Sequence, residues 1–466
     1  MDPTSILTLA DWCDGRIEAG SASPAELCID SISKDTRSIK SGSLYLALRG
    51  EKFDGNDFLL QAREAGAIAA IVDRPDISSP DKSFPLIRVE DSLAALHSLA
   101  SAWRKQLTLR VVGITGSSGK TSTKDLIAGV LGHRFATIKT EGNLNNHIGL
   151  PLSILRATSQ DQMAVWEMGM NHIGEIAPLA ALAQPDIGVI VNIGTAHIEF
   201  LGSQEAIALE KSALLKALPP DGVAVLNADD AFTSLLSKQT CASIFTAGIQ
   251  GGELRADNIR EEESGIQFTL CHGGESAQTH LQTHGRHMVS NALLAAAVGL
   301  KSGLSLEDCA TALSKVTLTS GRQQLRKISD ILFIDDTYNA NPDSMQAALR
   351  TLADVPADGR RIAVLGRMGE LGSYAPEGYK QTGKHAAQHA DILITIGSDA
   401  TAIADAAHAD GLQKIFKVTD HTEAVALLRS IARPADTVLV KGSRAAGLER
   451  IFVALESKTP HQPVTT

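Results

Sequence analysis

Thr115-Gly116-Ser117-Ser118-Gly119-Lys120-Thr121 is the stretch on which the fold turns. It follows a β-branched run, Leu109 to Ile114, that reads as a buried parallel strand. It opens a segment, Thr121 to Leu131, in which Leu126, Ile127, Val130 and Leu131 share one helical face. A strand, a glycine-rich turn and a helix N-terminus together cradle phosphate. The glycines admit backbone N–H groups to an anion, and the helix end adds partial positive charge. In that arrangement Lys120 reaches the β- and γ-phosphates and the Thr121 hydroxyl can ligate Mg²⁺. A tight turn of no further purpose would not need strand, glycines, lysine and hydroxyl together. Gly116, Ser117, Ser118, Gly119, Lys120, Thr121 and Ser122 are therefore the expected ATP-binding set.

At 466 residues the chain exceeds one hydrophobic core, and two to four domains are expected. A net charge of −10 argues against a general nucleic-acid binder, whose footprint would be basic. The five cysteines are scattered without a C-x-x-C pair, which suits a reducing compartment and neither a zinc framework nor a disulfide scaffold. Asp2, Asp11 and Asp14 stand where a signal peptide would be basic, and no apolar run is long enough to span a bilayer. The expectation is a cytoplasmic protein, monomeric, without membrane insertion.

Beyond the cradle, Gln162 to Trp166 reads as a strand ending in Glu167. An acidic residue at a strand end beside a P-loop is where Mg²⁺ is held, although a surface glutamate is the bland alternative. Asp186 to Ile193 is a further strand, followed by Gly194-Thr195-Ala196-His197. A lone histidine there is more often structural than a ligand. Lys211 changes the balance. Ile207, Leu214, Leu215 and Leu218 share an apolar helical face, and Lys211 sits within it. Burial favours the neutral amine, and a neutral amine near a dication can take up CO₂ as a carbamate. Residues 284–291 then lead into an alanine-rich helix, Ala292 to Gly299, capped on the plain structural reading by Ser290 or Asn291. After Ser320-Gly321-Arg322, strands at Ile331–Ile334, Ile362–Leu365, Ile392–Ile396 and Thr437–Val440 alternate with helices. That alternation predicts a doubly wound parallel sheet.

Several motifs carry a resemblance that covers the whole chain. They are the short Gly-x-x-Gly-Lys-Thr loop; Asp35-Thr36-Arg37 with Gly42 to Gly50 and Asp54-Gly55-Asn56-Asp57-Phe58; Asp335-Asp336-Thr337-Tyr338-Asn339-Ala340-Asn341-Pro342-Asp343-Ser344-Met345; Leu365 to Gly372; and Lys441-Gly442-Ser443-Arg444. Together they resemble the Mur ligase family, in its branch that adds D-alanyl-D-alanine. The resemblance implies an α/β chain of three domains. Residues 1–104 would be a small α/β domain binding UDP-MurNAc-peptide, residues 105–319 a central P-loop ATPase domain with a parallel sheet, and residues 320–466 a Rossmann-like domain closing over ATP. The implied reaction is ATP-dependent amide formation between UDP-MurNAc-tripeptide and D-Ala-D-Ala through an acyl phosphate. By the same resemblance Thr36, Arg37 and Asp54 hold the UDP-sugar, and Asn143, Asn145 and Asn146 face the substrate. Asn291 lies near adenine, Arg322 at the phosphates and Asp336 at the ribose. Asn339, Asn341 and Arg444 line the dipeptide face. Thr121 and Glu167 are expected at one Mg²⁺, and His197 with carbamylated Lys211 at a second. Ala213, Met288 and Arg367 depart from the family pattern. An amino-acid-adding Mur ligase and a plain P-loop ATPase are the rival readings. A regulatory GTPase is excluded, because D-x-x-G and N-K-x-D are both missing.

Overall fold

The computed structural model describes residues 1–18, 27–81, 83–319, 321–356 and 358–457. Three sheets carry most of the chain. The first has five strands in the order Arg16–Glu18, Leu86–Arg88, Ala69–Val72, Leu44–Leu46 and Ile32–Ser33. All neighbours run parallel except the Arg16–Glu18 edge. The helix Ser92–Gln106 follows this sheet, begun by the Asp91 carboxylate accepting from the Ala94 amide at 2.7 Å. Its last turn fastens the first sheet to the second. The Trp103 indole donates to the Ala157 carbonyl at 2.9 Å, and the buried Arg104 guanidinium donates to those of Ala183 and Gln184.

The second sheet has nine strands and places the cradle strand third from one edge. Arg110–Thr115 lies between Met163–Glu167 and Ile187–Ile190, parallel to both. Parallel pairing extends from Thr137–Lys139 at one edge as far as Leu254–Glu262; only Gly265–His272 and Glu275–Leu281 are antiparallel. Helices cover both faces, so the central strands are apolar throughout instead of alternating. Since neighbouring parallel strands end together, the cradle, Glu167 and the loop after Ile190 emerge side by side. Ligands of such sheets bind at the carboxyl ends of the strands.

The third sheet runs Gln324–Ile328, Ile331–Asp336, Thr437–Lys441, Arg361–Leu365, Ile392–Ile396 and Ile415–Val418. It is the α/β doubly wound sheet expected, with two edge strands the periodicity did not mark. Gln324–Ile328 pairs antiparallel and is largely polar, while Ile415–Val418 pairs parallel and is only four residues long with none of them buried. Ser320 of the expected boundary lies outside the described residues.

Two helical expectations need correction. Residues 204–216 form two short helices, Gln204–Lys211 and Ala213–Lys216, and not one. The Ser212 hydroxyl donates back to the Leu209 carbonyl at 2.6 Å, a local bond that competes with the regular ladder. Ile207, Leu214, Leu215 and Leu218 are nevertheless all buried. The alanine-rich helix starts earlier, at Arg286, and runs to Lys301 with Gly285 as its cap residue. Ser290 and Asn291 therefore sit inside the helix and cap nothing.

The third domain's helices Ala375–His389 and Thr401–Ala409 pack through Gly383. A Cβ there would lie 2.4 Å from the Ile403 carbonyl oxygen and 2.6 Å from the Ala406 methyl. Gly383→Ala forces the two helices apart, and overpacking of this kind costs about 1–3 kcal/mol. The expected outcome is a lowered unfolding midpoint for the third domain in a thermal melt.

Candidate active site

The cradle loop is braced from the neighbouring strand end. Asn192 accepts from the Ser117 amide through its carbonyl at 3.0 Å and from the Ser118 amide through its side chain at 2.9 Å. Its own amide donates to the Ser118 carbonyl at 3.1 Å. The Ser117 hydroxyl in turn accepts from the Gly194 amide at 2.8 Å. Gly119 has φ +74°, and a Cβ on it would approach the Asn291 side-chain oxygen to 3.1 Å. Asn291 thus reaches the cradle from the helix Arg286–Lys301. The cradle helix begins at Lys120 with no side-chain cap, which leaves its N-terminal end to a ligand. The Lys120 ammonium donates to the Gly116 carbonyl at 2.7 Å. Burial pulls its pKa down, the Glu167 carboxylate opposes this, and Arg322 adds to it.

Glu167 is 2% exposed at its strand end. One carboxylate oxygen accepts from the Thr121 hydroxyl at 2.7 Å, the other from the Asn145 amide at 2.8 Å. Its backbone N–H donates to the Thr140 hydroxyl at 3.0 Å. The buried Lys124 ammonium lies 3.8 Å from the same carboxylate and equally far from that of Asp125. Oxygen donors held in this way fit a hard dication such as Mg²⁺. Among the described residues no three His, Cys, Asp or Glu side chains converge as a ready cage. Mg²⁺ ordinarily takes one or two carboxylates and completes its shell with phosphate and water.

Lys211 lies near enough to Lys120 for their charges to interact, and His197 pairs with Glu370, which also feels Lys120. His197 adopts φ +62°, and its Nδ1 lies 2.5 Å from an Oε of Glu370 in the third domain. This pairing holds the Glu370 carboxyl below its ordinary range. Lys211 is 1% exposed, and its ammonium finds no hydrogen-bonding or ion-pairing partner among the described residues. Burial first, and the nearby Lys120 charge second, push its pKa well down. The adjacent Glu210 offers only a weak counter-field. Its carboxylate accepts from the Gly174 and Ile176 amides, both at 2.9 Å. A buried ammonium with no anionic partner is costly, and as such it would repel a dication. A carbamate at the same position would be a ligand.

The third domain meets this cluster with Arg322, whose guanidinium stacks 4.0 Å from the Tyr338 ring centroid. Arg444 lies 5.9 Å from the same ring. Asp336 pairs with the buried Lys441 ammonium at 2.6 Å, and Lys441 also donates to the Asn339 carbonyl at 2.9 Å. Asn341 caps the helix Pro342–Asp354 reciprocally with Ser344. His287, on the helix that carries Asn291, is pushed down to about 4 by burial, with Asp336 opposing.

The proposed substrate residues are spread more widely. Of the three asparagines in residues 143–146, only Asn145 reaches Glu167. Asn146 accepts from the Ile148 and Gly149 amides at the start of a helix, and Asn143 is exposed. In the first domain Arg37 forks onto Asp35, while Thr36 begins the same 3₁₀ turn. Asp54 accepts from Asn56 and faces Arg74. Asn192, Lys124, Thr140, Asp343 and Glu370 had no site role from sequence. Asp343 and Glu370 stand in the quoted motifs, but the partners that give these residues a role come from other segments of the chain.

Comparison with known proteins matches three domains in order. The Mur ligase family catalytic domain matches residues 29–104, the Mur ligase middle domain residues 114–299, and the Mur ligase glutamate ligase domain residues 321–444. The chain is 38% identical over 438 residues to the UDP-N-acetylmuramoyl-tripeptide–D-alanyl-D-alanine ligase of Synechocystis sp., covering 93% of this chain and 94% of that one. MurF from Acinetobacter baumannii superposes with a TM-score of 0.87 at 32% identity, covering 98% of this chain and 99% of that one. MurF ligase from Thermotoga maritima, solved in complex with ADP, gives 0.81 at 28% identity over 91% of this chain and 97% of its own. Three domain matches in order and similarity across nearly the whole length have one reading: this chain belongs to the Mur ligase family.

Proposed function

We propose that this protein is the ATP-dependent ligase that joins D-alanyl-D-alanine to UDP-MurNAc-tripeptide, releasing ADP and phosphate, in cytoplasmic peptidoglycan precursor synthesis. The observation that carries the proposal is the grouping of Lys120, the Thr121–Glu167 pair, His197 and Lys211 at one end of the central sheet, beneath the third domain. The activity named for the full-length relatives supports it. So does the loop Tyr338 to Met345, which favours the dipeptide over a single amino acid as the incoming amine. A monomeric state belongs to the same proposal. Among the described residues no helix is long and apolar enough to cross a membrane.

The chemistry follows from the leaving group. The oxygen of a carboxylate is too poor a leaving group for an amine to displace it. An oxygen of the peptide carboxylate therefore attacks the γ-phosphorus, the β–γ bridging bond breaks, and ADP departs. The amine of D-Ala-D-Ala then attacks the acyl carbon, and inorganic phosphate leaves from the tetrahedral intermediate. Residues act mainly by position and charge. Lys120 sits where it offsets γ-phosphate charge, and cradle amides hold the phosphate chain. Arg322 and Asp336 bring the third domain onto the nucleotide, with Asn291 near the adenine. Thr121 and Glu167 would hold one Mg²⁺, and His197 with carbamylated Lys211 a second. When bound, these ions supply the charge neutralisation that lets two anions approach. Thr36, Arg37 and Asp54 take the UDP end in this reading. Asn143, Asn145 and Asn146 face the peptide, and Asn339, Asn341 and Arg444 the dipeptide.

With Mg²⁺, ATP and UDP-MurNAc-tripeptide, phosphate release is expected to require D-Ala-D-Ala. Release without any amine would make the protein a plain ATPase. Turnover of UDP-MurNAc-dipeptide with diaminopimelate or lysine would make it the amino-acid-adding ligase.

Glu167→Gln keeps the size and the Thr121 contact but loses the charge. It is expected to lower kcat by roughly 100- to 1,000-fold, the scale of losing one preorganised electrostatic group. Lys211→Ala is expected to abolish acyl-phosphate formation and to recover partly with added short carboxylates. The wild type incubated with ¹³C-bicarbonate should show a carbamate carbon resonance that this variant lacks. Full activity of Lys211→Ala removes the carbamate.

A further inference from the structure

The loop Gly194–Glu199, which presents His197, is held from two domains. On its own side the Asp230 carboxylate accepts from the Ile193 amide at 2.7 Å, and the Ser117 hydroxyl accepts from Gly194. The remaining supports come from the third domain. One Asp343 oxygen accepts from both the Thr195 amide at 2.6 Å and the Thr195 hydroxyl at 2.8 Å. Glu370 meets His197, and its carbonyl faces the Glu199 amide at 3.5 Å. The fit is close enough that a Cβ on Gly194 would lie 2.4 Å from that Asp343 oxygen. His197 itself sits at φ +62°, a conformation a non-glycine residue keeps only when its surroundings impose it.

We infer that Asp343 is a positioning residue for the ligase reaction: by binding Thr195 it fixes the His197 loop, so that phosphorylation of the peptide carboxylate requires the third domain to be seated. The inference rests on the functional reading above. Asp343 also lies in the first turn of the helix Pro342–Asp354, where an acidic side chain is favourable in any case. Its reach across to Thr195 is what helix chemistry does not explain. The consequence is economy of ATP, because the acyl phosphate, which water destroys, forms only when the domain that brings the amine is in place.

The test is a double-mutant cycle on the full-length enzyme with Mg²⁺, ATP, UDP-MurNAc-tripeptide and D-Ala-D-Ala. Asp343→Ala is expected to lower kcat roughly 10- to 100-fold, the worth of hydrogen bonds to a charged group, with KM for ATP little changed. Thr195→Val should lose part of that, and Thr195→Ser, which keeps both donors, should regain what Thr195→Val loses. The double variant Asp343→Ala/Thr195→Val should be no slower than Asp343→Ala alone. Gly194→Ala leaves Asp343 and its helix untouched but fills the space its oxygen occupies, and it should show the same kcat loss. Wild-type kcat in Asp343→Ala or in Gly194→Ala overturns the inference, as do losses that simply multiply in the double variant. Failure of the wild type to release phosphate in response to D-Ala-D-Ala would overturn the functional reading instead.

Discussion

A buried carboxylate beside a phosphate cradle is the constraint on which the rest of the molecule depends. Glu167 is out of water, and an unpaired charge there would cost several kcal/mol. Thr121, Asn145 and Lys124 offset that cost from two segments. Thr121 comes from the cradle helix, Asn145 from the loop after the sheet's edge strand, and Lys124 from one turn further along the helix. The parallel sheet makes this convergence possible, since strands 110–115 and 163–167 end in register. Asp125, next to Lys124, accepts from Lys139 and from the amide and hydroxyl of Thr319. The charge cluster therefore reaches the chain segment that leads into the third domain.

The same end of the sheet collects an excess of positive side chains. The Arg322 charge is felt at Lys120 and at Lys124, and the Lys120 charge at Lys211, with Glu167, Glu370, Asp125 and Glu210 opposing them. In an acidic protein such a concentration of cations is specific to its place. It suits a triphosphate and a carboxylate that must touch. Lys211 is the odd member, buried without a counter-ion; the carbamate proposed for it would make it an anion that a metal can use.

How much of this was legible in the sequence depended on distance along the chain. The cradle could be read because its strand, glycines and lysine are contiguous. Glu167 could be read because it ends a short apolar strand. Lys211 stood out as a lysine inside an apolar pattern, and its burial agrees with that pattern even though the helix breaks at Ser212. The motif Asp335 to Met345 was visible, but what its members do was not. Asn341 serves as a helix cap, and Asp343 binds a residue 148 positions away. Asn192 clamps a loop 74 positions away through its side-chain amide, and an asparagine after an apolar strand carries no sign of that. The edge strand Gln324–Ile328 escaped notice because one side of it has no neighbour and its residues stay polar. Local chemistry was readable; contacts between domains were not.

The central claim is that the cluster around Lys120 and Glu167 joins a peptide carboxylate oxygen directly to γ-phosphorus. Positional isotope transfer tests it most directly. UDP-MurNAc-tripeptide labelled with ¹⁸O in the reacting carboxylate is turned over with ATP and D-Ala-D-Ala in unlabelled water, and the released phosphate is analysed by mass. The account predicts one ¹⁸O atom in each phosphate, carried across when the acyl phosphate breaks. Phosphate carrying only solvent oxygen, with the label left in the peptide, would contradict it.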